Sequence, residues 1–424
     1  MALLLPYQLL TIDSASYSPA CLLSIDTHQP ESTWVHVMSL QQDHSPRPDS
    51  RCSCLMISGH DFRSERQANV HFIAQQLAQR GPMRFFSIGF SFLSVLKNDP
   101  RQSLWKRANT VEAYKGVDTY LWRTLVHPFN LKPAALDPVA TAWFKSYARR
   151  APALLRRWIA EADIIILESG MAVILFDLIK ELNPTANVIY LCSDALDTIG
   201  CAPHLRRELA RVALLLDGIR IPSKYLKSEF PDSRGLFYVP HGIDPTIADN
   251  NEPSPYPPGT HLVSVGSMLF DPTFFEMAAA AFPEITFHII GGGAKAANLS
   301  APNIVSYGEM PFRKTIPYIK HATAGVASYE GGKVAPYLID TSMKLMQFGF
   351  LGVPAVCPDT VAGERIGRFG YKPGDRSSIV GAINDAIAFG HFQGCAALPW
   401  SDVTDRIIQP ERYPDTHINA KAKA

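Results

Sequence analysis

One aspartate stands where an acid or base could act on a substrate. Asp194 follows an apolar run in the segment LCSDALDTIG at 191–200. A carboxylate at the end of a buried strand can serve as a general base that removes the proton of an attacking hydroxyl. The same position also suits a helix cap, so the pattern alone leaves both roles open. Asp197, three residues later, fits capping or solvent exposure better.

Two further segments could hold a phosphate group. In HIIGGGAK at 288–295, three glycines after an apolar strand let backbone amides approach a nucleotide, although a purely structural turn is equally compatible. In DTSMKLMQFGFLGVPAVCPD at 340–359, the start of a predicted helix at Ser342 and Met343 offers free amides to an anion. Lys344 adds a full positive charge there, with a solvated lysine and core methionines as the alternative interpretation.

Common metal-binding and hydrolase motifs do not occur in the sequence. It contains no Asp-x-Asp pair and no His-Glu-x-x-His, and Cys52-Ser-Cys54 has no partner ligands near it in the chain. A phosphate-binding Gly-x-x-x-x-Gly-Lys-Ser loop and a Gly-x-Ser-x-Gly elbow are missing too. We therefore expect no metal site and no bound cofactor.

A polar segment follows the first predicted strand and could contact a second substrate. In SGHDFRSERQANVHF at 58–72, the polar side chains are expected near the carboxyl end of the strand. A helix cap with a solvated charged face is the alternative for each of them. The candidates are His60, Asp61, Arg63, Arg66 and Asn69.

Aromatic and basic residues interleave between positions 143 and 158. Such a mixture suits the headgroup layer of an anionic membrane. An ordinary core-facing helix, interrupted at Pro152 and basic on its outer face, is the alternative. The residues concerned are Trp143, Phe144, Lys145, Arg149, Arg150, Arg156, Arg157 and Trp158.

Strand-like and helix-like segments alternate in two series, which is typical of two doubly wound α/β domains. Ligands bind at the carboxyl ends of such sheets, so the candidate residues should meet in a cleft between the domains. The predicted divisions are a disordered extension at 1–50, a Rossmann-like domain at 51–244, a linker at 245–258, a second Rossmann-like domain at 259–395, and a segment at 396–424 that returns to the first domain.

The composition of the 424 residues narrows the class of protein. With 47% hydrophobic and 19% charged residues the chain has the make-up of a globular protein. A formal net charge of +1 gives no overall attraction to nucleic acid. Seven cysteines without paired spacing favour a reducing compartment, and no apolar run is long enough to predict a membrane span.

Many short strings together resemble the GumK family of xanthan-type β-glucuronosyltransferases. The similarity runs from about residue 54 to about residue 415, and the motifs that carry it are SGHDFR, ERQANVHFI, LWRTLVHPFN, ESGMAV, SDALDTI, PHGID, VGSMLFDPTFF, YGEM, TIPYIKHA, SMKLMQF and PAVCPD. The sequence departs from the family pattern at Ser193-Asp194-Ala195, where the family has Ser-Asp-Gly, and at an added Lys333.

The resemblance implies a GT-B fold, in which two Rossmann-like domains face each other across a cleft. It also implies inverting, metal-independent transfer of glucuronic acid from UDP-glucuronate to a polyprenyl-diphosphate-linked oligosaccharide at the cytoplasmic face of the inner membrane. Asp194 matches the family's catalytic base. The matching donor-binding residues are Met268, Glu309, Met310, Tyr329, Ser342, Met343, Lys344 and Gln347.

Two other classes of function are open alternatives. One is a UDP-sugar 2-epimerase, which can share the two-domain shape. The other is a non-catalytic nucleotide-sugar-binding subunit of a polysaccharide assembly complex, although retention of Asp194 together with the donor pocket speaks against it. Acceptor contacts at His60, Arg63, Arg66 and Asn69 are the least specific of the expectations, because no spacing rule supports them.

Overall fold

The computed structural model describes residues 52–416 and 418, apart from positions 66, 98, 232, 234, 331–333 and 417. The segment 1–50, predicted to be a disordered extension, lies outside the described residues. Arg66 and Lys333 lie outside them as well. The described part of the chain forms two β-sheets with helices packed against them.

The first sheet is built from eight strands within the described residues. Its order is β3-β4-β2-β1-β5-β6-β7-β8, and all neighbours are parallel except the β3–β4 hairpin. The strands are β1 (Cys54–Ser58), β2 (Met83–Ser91), β3 (Glu112–Tyr114), β4 (Val117–Thr124), β5 (Ile164–Glu168), β6 (Asn187–Leu191), β7 (Gly218–Ile221) and β8 (Leu236–Tyr238).

The second sheet has six strands in the described part of the chain, all parallel, in the order β11-β10-β9-β12-β13-β14. Both faces of the four central strands are covered, which explains their largely apolar sequences, whereas the edge strands β11 and β14 are less buried. The strands are β9 (Thr260–Val265), β10 (Ile285–Ile290), β11 (Ile304–Tyr307), β12 (Ala324–Val326), β13 (Ala355–Pro358) and β14 (Arg368–Tyr371).

Helices cross over between the strands of both sheets. Those of the first half are α1 (Asn69–Ala78), α2 (Phe92–Leu96), α3 (Asp137–Arg149), α4 (Ala153–Ala160), α5 (Phe176–Leu182) and α6 (Pro203–Val212). Those of the second half are α7 (Pro272–Ala281), α8 (Gly293–Ala297), α9 (Phe312–His321), α10 (Leu338–Thr341), α11 (Met343–Phe350), α12 (Asp359–Ala362), α13 (Arg376–Phe389) and α14 (Trp400–Ile408).

The last helix packs against the first half of the chain. Trp400 of α14 stacks on Phe72 of α1, with ring centroids 5.0 Å apart and an interplanar angle of 3°. Ile243 pairs with Pro399, so the chain just after β8 also contacts this segment. The domain limits at 244 and 258 stay predictions.

No helix among the described residues combines the length and apolar character needed to cross a bilayer.

Parallel pairing places the ends of neighbouring strands side by side. The register aligns Glu168, the last residue of β5, with Leu191, the last residue of β6. The segment that carries Asp194 follows Leu191 directly, while Gly291 follows β10 in the second sheet. The fold therefore brings the carboxyl ends of both sheets to one region, where α/β proteins bind ligands.

Candidate active site

A cavity of about 400 Å³ lies between the carboxyl ends of the two sheets. That volume is typical of a small-molecule site. From the first sheet and its loops it is lined by His60, Glu65, Gln67, Ala68, Asn69, Phe72, Glu168, Ser193, Asp194 and His241. From the second it is lined by Val265, Gly266, Ser267, Met268, Ile290, Gly291, Glu309, Met310, Phe312, Thr315, Tyr329, Leu338, Thr341, Ser342, Met343, Lys344 and Gln347.

Asp194 reaches this cavity from the loop after β6. Its backbone N–H donates to Ser169 Oγ at 3.3 Å, and its Oδ1 accepts a hydrogen bond from the Tyr337 hydroxyl at 3.1 Å. Burial raises the pKa of Asp194, the bond from Tyr337 lowers it, and the nearby Glu168 carboxylate raises it. Asp197 is exposed and pairs with Arg206 at 2.6 Å, in keeping with its expected solvent role.

A second carboxylate, Glu168, stands beside the first on the same sheet. Its side chain is buried, accepts a hydrogen bond from the Ser58 hydroxyl, and lies 3.6 Å from His60 Nε2. Burial raises the pKa of Glu168 to about 7. Glu168 was not among the predicted site residues, although a carboxylate that ends an apolar strand beside β6 is a recognisable signal.

The predicted acceptor residues have different surroundings. His60 and Asn69 line the cavity, and Asn69 Nδ2 donates to Ser193 Oγ at 2.8 Å, next to Asp194. Arg63 does not fit its prediction, because its buried guanidinium lies between Asp61, at 2.8 Å, and Glu112, at 3.0 Å. These ion pairs fix the loop after β1 to the β3–β4 hairpin.

The predicted phosphate segment supplies the opposite wall. Ser342 is the N-cap of α11, where its hydroxyl accepts a hydrogen bond from the Leu345 amide at 3.4 Å and lies 2.5 Å from the Tyr329 hydroxyl. Lys344 Nζ lies 5.1 Å from the centre of the Tyr329 ring. Hydroxyls, backbone amides and a cation thus converge on the N-terminal end of α11, an arrangement that suits a diphosphate.

The remaining predicted donor residues line the same half of the cavity. Gly291 has φ +70°, a left-handed backbone that favours glycine, and a Cβ there would lie 3.1 Å from Glu309 Oε2. Met268 is 47% exposed, whereas Gln347 of α11 is buried. Met310 and Met343 complete the set, so all eight predicted donor residues meet at one site.

The interleaved aromatic and basic segment is divided between the core and a groove. Phe144 and Trp158 are buried, and Trp143 packs on Phe129 with ring centroids 5.3 Å apart. The prediction that aromatic and basic side chains share one membrane-facing surface is therefore wrong for Phe144 and Trp158. The core-facing alternative fits them, since they lie on the inner faces of α3 and α4. Lys145, Arg149 and Arg156 line a separate surface groove.

Comparison with known proteins identifies the family. The family model of the glucuronosyltransferase GumK N-terminal domain matches residues 56–222. The UDP-glucuronate:glycolipid 2-beta-glucuronosyltransferase of Xanthomonas campestris pv. campestris is 46% identical over 375 residues, which cover 88% of this chain and 94% of that protein. The chain belongs to the GumK family of glucuronosyltransferases. This membership makes it an enzyme of the glycosyltransferase class and confirms the resemblance found in its motifs.

Solved structures place this GumK-family chain in the GT-B fold. Anabaena HepE in complex with UDP and glucose has a TM-score of 0.57 at 12% identity, covering 85% of this chain and 100% of that one. A glycosyltransferase from Rickettsia africae has a TM-score of 0.51 at 10% identity, covering 86% of this chain and 93% of that one. At such low identity the likeness shows the fold alone, and it confirms the predicted α/β two-domain architecture.

Proposed function

We propose that this enzyme transfers glucuronic acid from UDP-glucuronate to a polyprenyl-diphosphate-linked oligosaccharide during synthesis of a xanthan-like exopolysaccharide. The reaction inverts the anomeric centre and needs no metal ion. The relative from Xanthomonas supports the donor and a lipid-linked acceptor, because its name specifies UDP-glucuronate and a glycolipid. The observation that carries the proposal is the single cavity that joins Asp194 to the predicted donor residues.

In the proposed arrangement the UDP moiety binds to the second sheet and its helices. The diphosphate sits at the start of α11, near Ser342 and Lys344, and the uracil lies near Met268 and Met310. Lys344 and the amides of α11 stabilise the negative charge on the departing diphosphate. These residues take the place that a divalent cation holds in metal-dependent enzymes.

The acceptor enters from the first sheet and is activated by Asp194. An Asp194 carboxylate oxygen takes the proton of the acceptor hydroxyl as the hydroxyl oxygen forms a bond to C1 of the sugar. The bond from C1 to the β-phosphate oxygen breaks, and UDP leaves with the electron pair. Attack from the face opposite the leaving group converts an α-linked donor into a β-linked product.

We further propose that the enzyme works as a peripheral protein at the cytoplasmic face of the inner membrane, where lipid-linked acceptors are accessible. The groove that contains Lys145, Arg149 and Arg156 supports contact with anionic headgroups. Asp177, Glu181 and Glu208 also line this groove and reduce its net positive charge. The contact we propose is therefore electrostatic and should weaken as salt rises.

The test of the proposed function is transfer of label from radioactive UDP-glucuronate to a lipid extract that contains polyprenyl-diphosphate oligosaccharides, with excess EDTA present. We expect label in the lipid fraction, a β linkage by NMR, and much less transfer from UDP-glucose. Dependence on added metal would contradict the metal-free reaction. Formation of an epimer without acceptor would indicate a 2-epimerase, and absence of both products would contradict catalysis on these substrates.

A further inference from the structure

Tyr337 makes a contact between the two halves of the site that the sequence analysis did not anticipate. It belongs to the second half of the chain and is buried, and its hydroxyl donates to Asp194 Oδ1 at 3.1 Å. The Ala195 amide and the Thr198 hydroxyl approach the same phenol oxygen. The tyrosine is thus enclosed by the loop that carries the proposed base.

The position of Tyr337 in the chain links this contact to the donor site. Tyr337 is the N-cap of α10, and its carbonyl accepts hydrogen bonds from the amide and the hydroxyl of Thr341, each at 3.2 Å. Ser342, the residue directly after Thr341, is the N-cap of α11. The short helix α10 therefore connects the Tyr337 phenol, which donates to Asp194, with the Ser342 hydroxyl beside the proposed diphosphate position.

We propose that Tyr337 is a positioning residue that orients the Asp194 carboxylate from the donor-binding half of the enzyme. The inference rests on the proposed function, in which Asp194 is the base. Since Oδ1 already accepts a hydrogen bond from the phenol, we assign the acceptor proton to Oδ2. The base is correctly oriented only when the segment next to the donor diphosphate is in place.

The hydrogen bond also has an electrostatic consequence. A hydrogen bond donated to a carboxylate stabilises its ionised form and so lowers its pKa. Glu168 and His60 also face Asp194, from the end of β5 and the loop after β1, where Glu168 raises its pKa and His60 lowers it. Both groups remain in place when only the Tyr337 hydroxyl is removed.

The test compares Tyr337→Phe with the wild type in the transfer assay across pH. The phenylalanine keeps the ring and removes only the hydroxyl, so Tm and affinity for UDP should stay near wild type. Loss of the bond should raise the pKa of Asp194 and move the acid limb of kcat/KM to higher pH by about one unit. We expect kcat at neutral pH to fall about tenfold, with KM for UDP-glucuronate little changed.

Ser223→Ala is the matched control. Ser223 Oγ donates to Asp340 Oδ2 at 2.7 Å, so this variant removes another hydrogen bond from the first half of the chain to the same short segment without touching Asp194. We expect its acid limb to stay at the wild-type pH. An equal loss of kcat in both variants with no pH shift would show that Tyr337 only helps the two halves pack, and would overturn the inference.

Asp194→Asn, measured in the same assay, distinguishes failure of the proposed function from failure of the positioning role of Tyr337. If that variant kept its turnover, Asp194 would not be the base and the proposed function would fail, whatever Tyr337→Phe does. If Asp194→Asn is inactive while Tyr337→Phe keeps the wild-type kcat and pH profile, the positioning role alone is wrong.

Discussion

At the scale of single residues, two carboxylates of the first sheet share the cavity and influence each other. Glu168 is buried, and burial raises its pKa to about 7. Its charge contributes to the raised pKa of Asp194. A base with a raised pKa is better matched to proton abstraction near neutral pH than an ordinary aspartate.

Replacing Glu168 by Gln should therefore shift the pH dependence of kcat/KM in the direction opposite to the shift expected for Tyr337→Phe. Removal of a negative charge makes ionisation of Asp194 easier, so its pKa falls and the acid limb of kcat/KM moves to lower pH. We expect a shift on the order of half a pH unit. The amide oxygen of glutamine can still accept the hydrogen bond from Ser58. The pH dependence of initial rates measures the effect.

Glu181→Gln is the control for that measurement, because Glu181 lies near the end of α5 in the separate surface groove. Its profile should match the wild type. If the acid limb of kcat/KM for Glu168→Gln moved to higher pH, or did not move, that would contradict electrostatic coupling between Glu168 and Asp194.

The sequence predicted the positions of many site residues but not their partners. Asp194 and Ser342 could be placed because each follows or begins a recognisable element, and strand ends converge in parallel sheets. Tyr337 was missed, since its contact depends on how distant segments pack, whereas Glu168 was missed although it ends an apolar strand. Arg63 was predicted to contact the acceptor, because the spacing of residues in the sequence does not reveal that Asp61 and Glu112 enclose its side chain.

At the scale of elements, the helix that carries the proposed phosphate site depends on a tight turn at its C-terminal end. Gly352, just after α11, has φ +68°, and a Cβ there would lie 2.0 Å from the carbonyl oxygen of Phe392. The Phe392 amide in turn donates to Gly352 O at 2.9 Å. The segment after α13 thus packs against the end of α11, and only glycine permits the approach.

Gly352→Ala should lower the free energy of unfolding by roughly 2 to 4 kcal/mol, from the left-handed backbone and the backbone clash together. Gly374→Ala is the control, because Gly374 has φ +81° but no atom within 4 Å of the added Cβ. It should lose only about 1 kcal/mol. Urea unfolding of both variants measures the difference, and equal losses would contradict a role for the Phe392 contact.

The elements themselves were predicted with uneven success. The helix predicted to start at Ser342 and Met343 corresponds to α11. The β3–β4 hairpin, β14 and α14 were not identified. β3 and β14 are only three and four residues long, too short for a periodic pattern, and β14 is stabilised by pairing with β13 rather than by its own sequence.

At the scale of the whole molecule, the chain between the two sheets is fixed to the second one by a stack of rings. Tyr256 stacks on His261 with centroids 4.7 Å apart, and His261 Nε2 lies 2.9 Å from the Pro257 carbonyl oxygen. His261 Nδ1 is 3.0 Å from His288 Nε2, and His288 Nδ1 is 3.2 Å from the Tyr307 hydroxyl. The bond between the two rings needs one donor nitrogen and one acceptor nitrogen, so the two imidazoles cannot both be protonated.

The burial of His288 predicts a loss of stability in acid. Burial, with a smaller effect of His261, lowers the pKa of His288 to about 4, whereas an exposed histidine titrates near 6.5. Above about pH 6.5 both folded and unfolded forms are neutral. Between pH 6.5 and 4 the unfolded chain binds a proton that the folded one does not, so stability falls by about 1.4 kcal/mol per pH unit.

His288→Gln should remove this pH-dependent contribution. Its free energy of unfolding should fall less steeply than that of the wild type between pH 6.5 and 4, as measured by urea unfolding at several pH values. His391→Gln, at an exposed position, controls for loss of a histidine elsewhere. Parallel curves for the wild type and His288→Gln would contradict the assignment.

The overall architecture was the most predictable feature of the molecule. Alternation of strand and helix predicted two doubly wound units, and the GT-B fold is confirmed by the solved structures of similar fold. The way the two units contact each other was not predictable from the sequence. The contact of Tyr337 with Asp194, for example, joins residues 143 positions apart.

Asp194, projecting from one sheet, is proposed as the base for a sugar nucleotide bound to the other. The most direct measurement is single-turnover transfer of labelled glucuronate by Asp194→Asn and by Asp197→Asn, with UDP binding measured for both by calorimetry. The account predicts that Asp194→Asn loses at least a factor of about 100 in rate but binds UDP normally, while Asp197→Asn behaves as the wild type. Near-normal transfer by Asp194→Asn would contradict it.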